Sequence, residues 1–119
     1  MKYMILLYNN QQNLMNMKKE RMQEIMAECK DYGQFLVDNG HFISASPLHP
    51  AVTGKTIRLT EGKPLVTDGP FAETKEQLGG YYLIDCGDFE EALKLAHQVP
   101  DLKYGASVEV RQVCDTDSL

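Results

Sequence analysis

Residues 67 to 82, reading TDGPFAETKEQLGGYY, set two carboxylates and an ammonium beside a rigid bend. Asp68, Gly69 and Pro70 make a tight turn that presents Phe71, and Glu73, Lys75 and Glu76 follow at once. An aspartate opening such a turn can bond the backbone of the residues after it, which is a structural role. The alternative is that Asp68 and Glu73 point into a cleft, where burial raises a carboxyl toward values useful for proton transfer. Lys75 would then neutralise one acid or hold an anionic ligand. His49 lies in a stiff loop between Pro47 and Pro50. A histidine poised beside Asp68 makes a general acid–base pair, and an exposed loop histidine is the plainer reading. The catalytic candidates are therefore Asp68, Glu73, Lys75 and His49.

A second set suits ligand contact rather than chemistry. Arg58, Glu109 and Arg111 occupy strand positions, where they either line the same cleft or form cross-strand ion pairs. Phe71 offers an aromatic wall, and Tyr81 or Tyr82 a wall or a hydroxyl. Other chemistries are absent. Gly54-Lys55-Thr56 looks like the end of a phosphate loop, but His49 stands where the first glycine belongs and a strand follows instead of a helix. His41, His49 and His97 have no metal-ligand spacing. Cys86 has no basic neighbour in sequence to activate it, so packing suits it better than nucleophilic attack. There is no dinucleotide fingerprint or Ser-His-Asp order, and no cofactor is expected.

The bulk numbers narrow the field further. The chain of 119 residues makes one domain, 1–119, with an acidic tail over 114–119 expected to fray. A formal net charge of −5 leaves no basic stripe for phosphates, which argues against nucleic acid. Three cysteines without a Cys-x-x-Cys pair give neither a disulfide framework nor a zinc knuckle, so a reducing compartment is expected. The opening MKYMILLY is too short for a secretory core, and no apolar run reaches the ~18 residues of a membrane span. The expectation is a cytoplasmic protein with no membrane partner.

The elements that must position these residues follow from periodicity. Residues 2 to 8 read as a strand apolar on both faces, with Tyr3, Ile5 and Leu7 on one and Met4, Leu6 and Tyr8 on the other. Residues 9 to 16 are Asn-rich and read as a loop, with Asn16 capping a helix over 17–39. Met22, Ile25, Met26, Cys29, Tyr32 and Leu36 make one apolar stripe on that helix, read as core packing. Strands are expected at 41–48, 55–60, 64–67, 80–86 and 106–113, with a hairpin turn at 61–63. The glycine pair 79–80 is expected to end the acidic stretch before its strand begins. Asp88 caps a second helix through about Val99, which buries Phe89, Ala92, Leu93 and Ala96.

The order β-α-β-β-β-β-α-β, with a small hairpin inserted, is a ferredoxin-like α+β plan: an antiparallel sheet with two helices on one face. Strand one is apolar on both sides, so the other face needs a cover. A second copy of the chain is the simplest cover.

The segment VTDGPFAETKEQLGGYYLID resembles, almost residue for residue, the signature of the YCII-related proteins of the DGPF-domain type. The opening MKYMILLY and the closing SVEVRQV resemble that family's two ends. The resemblance implies a dimeric α/β-barrel, a homodimer whose sheets face each other, and bacterial origin. It also implies a His–Asp pair of the kind suggested for the wider superfamily, with Asp68 as the acid, although the DGPF branch places no histidine where His49 stands. Two functions are expected from these readings. One is a small-molecule enzyme or binding protein with a cleft near the DGPF segment and the dimer interface. The other is a non-catalytic regulatory or accessory module, because some members of the family lie near sigma-factor genes.

Overall fold

A computed structural model describes all of residues 1–119. Strands β1 (Lys2–Asn10), β2 (Phe42–Pro47), β5 (Glu76–Asp85) and β6 (Ser107–Gln112) form one sheet in the order β2-β5-β1-β6, and every pairing in it is antiparallel. Strands β3 (Lys55–Thr60) and β4 (Lys63–Asp68) pair only with each other. Helices α1 (Gln11–Met15), α2 (Lys19–Asp38) and α3 (Phe89–Ala96) complete the chain. With the hairpin set aside, this is the ferredoxin-like α+β arrangement.

The core forms where α2 and α3 cover one face of the sheet. Tyr3, Ile5 and Leu7 of β1 and Tyr82 and Ile84 of β5 meet Tyr32 and Leu36 of α2 and Ala92, Leu95 and Ala96 of α3. The Tyr32 hydroxyl donates to the Leu95 carbonyl at 2.8 Å, which ties the two helices beneath the sheet. Asp88 caps α3 as expected, accepting from the Glu91 amide at 2.8 Å, while Glu91 reaches back to the Gly87 amide. The buried face of α3 is Ala92, Leu95 and Ala96, not the expected set. Leu93 is half-buried and Phe89 is exposed, although its ring meets Tyr3 edge-on at 5.7 Å.

The opposite face has no layer over it. Antiparallel partners share a face, so Ser44, Leu83, Met4 and Arg111 make one row across it and Ser46, Tyr81, Leu6 and Glu109 the next. The hairpin also lacks a cover. Ile57 and Leu59 are 69% and 74% exposed, and Val66 is 55% exposed. One face of this ribbon carries Ile57 opposite Val66 and Leu59 opposite Pro64. The chain is 47 × 46 × 18 Å with a radius of gyration of 16.3 Å, against roughly 13–14 Å for a compact domain of this length.

Three boundaries differ from the sequence reading. Residues 9 to 16 are not a loop: β1 runs on to Asn10, whose side chain accepts from the Asn13 amide and starts α1. Asn16 ends α1 instead of capping α2, which begins behind Lys18 with no side-chain cap. The glycine pair does not precede a strand but lies inside β5, which starts at Glu76. Leu7 pairs with Gly80 and Tyr8 with Leu78, so Gly79 is the extra residue of a bulge.

Candidate functional site

The bulge matters because it leaves bare backbone beneath α2. A Cβ on Gly79 would lie 2.5 Å from Asn9 Nδ2, and one on Gly80 would lie 3.1 Å from the Ser46 carbonyl oxygen. Asn9 uses the space given by Gly79 to accept from Gln11 Nε2 at 2.8 Å, and Gln11 in turn accepts from the Ala51 amide at 2.8 Å. This relay ties the end of β1, α1 and the loop after β2 into one frame. Inside the frame lies a cavity of about 620 Å³ between the sheet and the first half of α2.

The wall of that cavity is mainly apolar. Leu7, Met22, Ile25, Met17 and Leu14 contribute side chains, and Leu48 and Pro50 close the end nearest β2. The apolar stripe of α2 therefore has two duties. Its second half, Tyr32 and Leu36, is closed core, whereas Met22 is only half-buried and Met26 is 64% exposed. Flexible thioethers suit a wall that must fit an occupant of irregular shape.

Polar groups interrupt the wall, among them Asn9, Gln11, Lys30 and the pair Cys29 and Asp101. Cys29 Sγ donates to Asp101 Oδ1 at 3.3 Å, and the Tyr82 phenol lies against the same thiol. Desolvation, then the Asp101 carboxylate, pushes the Cys29 thiol up to about 12. Burial likewise raises the Tyr82 phenol, with the neighbouring Cys29 and Asp101 adding to it. Both groups are therefore neutral hydrogen-bonding groups at neutral pH. Neither Cys29 nor Asp101 stood out in the sequence as a site residue.

The residues singled out from the sequence fall into three places. Tyr82 is the one whose side chain belongs to the core face, at the cavity. Tyr81, Glu109 and Arg111 share the open face, where Tyr81 and Ser44 exchange a hydroxyl contact at 3.0 Å and Tyr8 donates to Glu109 at 3.1 Å. The remainder surround the hairpin. Asp68 pairs with Lys55 at 2.6 Å and accepts no backbone amide, while Arg58 donates to the Phe71 carbonyl at 2.8 Å. Phe71 and Glu73 are exposed, and Lys75 borders a shallow depression with Tyr8, Asn10 and Glu76.

His49 is exposed, and no hydrogen bond or ion pair joins it to Asp68. Backbone contacts nevertheless gather these segments. The Leu48 amide donates to the Gly79 carbonyl at 2.9 Å, and the Gly69 amide to the Gly54 carbonyl at 2.7 Å. The loop bearing His49 is thus held at one end by the floor of the cavity and at the other by the DGPF bend. No group of three or more His, Cys, Asp or Glu side chains is placed to hold a metal ion.

Comparison with known proteins agrees with the motif. The family model described as the YCII-related domain matches residues 1–117. A protein of Rhizobium meliloti (strain 1021), described as uncharacterized, is 37% identical over 112 residues, covering 93% of this chain and 90% of its own. A match across almost the whole length, on a chain with the split βαβ sheet order and the intact DGPF bend, places this protein in the YCII-related family.

Proposed function

We propose that the protein binds a small, mostly apolar molecule in the cavity between α2 and the sheet, and that it does so as a cytoplasmic homodimer. The cavity carries the reading. A concave, preformed space with an apolar wall and few convergent polar groups is the usual form of a small-molecule site, and about 620 Å³ is of ordinary size for one. The dimer is supported by the two uncovered apolar surfaces, the sheet face around Leu6 and Leu83 and the hairpin face around Ile57 and Val66. Three unpaired thiols suit a reducing compartment. No helix is long and apolar enough to cross a membrane.

Catalysis by Asp68, Glu73, Lys75 or His49 belongs to the dimer in this reading. One chain leaves Asp68 in solvent beside Lys55, and a second subunit is needed to desolvate it. His49 is the best placed of the four, because its neighbours Leu48 and Pro50 both line the cavity. The apolar hairpin favours a second reading, a regulatory module that docks a protein partner, such as one linked to sigma-factor control, through Ile57, Leu59 and Val66.

The test is a thermal-shift screen of a metabolite library on the intact protein, repeated on Met22→Trp, which fills the cavity. A ligand at a hundred times its dissociation constant stabilises the fold by about 2.7 kcal/mol, so hits that vanish in Met22→Trp support the site. Hits that persist in it place binding elsewhere. Light scattering separates the dimer from the docking module. Wild-type protein at dimer mass and Leu6→Arg at monomer mass support the homodimer, and a wild-type monomer removes it.

A further inference from the structure

We propose that Asp101 is the specificity-determining residue of the cavity, and that the ligand it selects is a neutral ring compound carrying a hydroxyl donor. This rests on the cavity being the binding site. Asp101 reaches the wall from the 3₁₀ turn Pro100–Tyr104, which follows α3, and its backbone carbonyl is fixed by the Ala106 amide at 3.1 Å. Its Oδ1 accepts only the Cys29 thiol, at 3.3 Å, and no protein group donates to its Oδ2. A thiol is a weak donor. Asp101 is half-buried on the lining, and beside the thiol its carboxylate keeps acceptor capacity for a ligand. A ligand hydroxyl supplies a stronger, charge-assisted bond.

The same geometry sets what is refused. A carboxylate ligand cannot donate to Asp101 and is repelled by it, and Lys30 on the same lining is where it would pair instead. A hydrocarbon would fill the methionine-lined volume but leave Asp101 as it is. Cys29 acts here as a removable placeholder: its Sγ holds Oδ1 when no ligand is bound, and the adjoining Tyr82 phenol is close enough to take up the displaced thiol. Size also fits. About 620 Å³ accommodates a fused two-ring molecule with room for substituents.

The probes are 2-naphthol, 2-methoxynaphthalene, which keeps the ring and oxygen but has no donor, and 2-naphthoate. Binding is read by ligand fluorescence, which the protein does not obscure because it contains no tryptophan. Wild-type protein should bind 2-naphthol roughly tenfold more tightly than 2-methoxynaphthalene, the effect of one hydrogen bond to a charged acceptor. Asp101→Ala should bring the first two together within about twofold, and Cys29→Ala, which leaves no thiol to displace, should widen the gap. Equal binding of 2-naphthol and 2-methoxynaphthalene by the wild type overturns the role of Asp101 and leaves the cavity standing. So does a preference that survives in Asp101→Ala. If none of the three binds the wild type, the cavity reading falls and this inference with it. Should Asp101→Ala fail to fold, Cys29→Ser decides the matter: a serine hydroxyl holds the carboxylate more firmly, so the preference must shrink, and an unchanged preference overturns the proposal.

Discussion

Cys29 and Asp101, 72 residues apart in sequence, meet at 3.3 Å on the wall of the cavity. Helix α2 supplies the thiol and the turn after α3 the carboxylate, so the contact reports how the two halves of the fold come together.

That contact has a pH signature. The Cys29 thiol ordinarily ionises near 9.0, and in the folded chain desolvation first, then Asp101, pushes it up to about 12. Between these values the unfolded chain releases the proton while the folded chain keeps it, so stability falls as pH rises through the window. The contribution is complete below pH 9 and is lost toward pH 12. Urea midpoints measured from about pH 8 to pH 10.5 should fall more steeply for wild type than for Cys29→Ala. Parallel curves would show that the thiol is not held neutral by the fold.

The Tyr32 hydroxyl gives a second expectation. The residue is 5% exposed, its ring meets Tyr82 edge-on at 5.1 Å, and its hydroxyl serves the Leu95 carbonyl. Tyr32→Phe keeps the ring and removes one donor from the carbonyl, which still accepts from the Gln98 amide at 3.1 Å, at a cost of about 0.5–1.5 kcal/mol. Equilibrium denaturation should show this as a lower midpoint with an unchanged slope.

Gly80→Ala tests the close approach of β2 to β5. The added methyl would meet the Ser46 carbonyl oxygen at 3.1 Å and Pro47 Cα at 3.3 Å, and both are backbone atoms. Such crowding costs about 1–3 kcal/mol. A variant as stable as wild type would mean that the two strands separate more easily than their ladder suggests.

The hairpin offers a gain instead of a loss. Glu61 and Gly62 form its two-residue turn with φ of 52° and 79°. A turn with both central residues in the left-handed region favours asparagine before glycine, and glutamate is an unusual occupant. Glu61→Asn should stabilise the protein by roughly 0.5 kcal/mol where the hairpin unfolds with the rest. Its turn amides should also show slower hydrogen exchange.

Local signals carried the hairpin and, apart from α1, the element order. The alternation in residues 2–8 gave a two-faced strand, and residues 61–63 between two strand-like runs gave the hairpin, although Lys63 already belongs to β4. What the sequence hid depends on distant partners. Gly79 and Gly80 look like a chain break, and only pairing to Leu7 and Tyr8 turns them into a bulge. The stripe from Met22 to Leu36 has one period throughout, and periodicity cannot separate a closed core from the wall of a hollow. Asn10 and Asn16 are equally good caps by type, and the extra reach of β1 decided between them. Tyr81 and Tyr82 are adjacent in sequence but their side chains face opposite sides of the sheet, so only Tyr82 turns its ring to the core face. Cys29 and Asp101 carry no mutual mark at all.

The β3–β4 ribbon has its own ladder of paired residues but contributes nothing to the buried cluster. Its opening therefore exposes almost no new apolar surface, and its free energy of opening is set by the turn, the ladder and the few hydrogen bonds to the DGPF segment, such as that from Arg58 to the Phe71 carbonyl. In an isolated chain this arm melts ahead of the main sheet, giving a premature baseline slope in a thermal scan. A protease that attacks opened segments would cut there first, and would leave the four-stranded sheet with its helices intact.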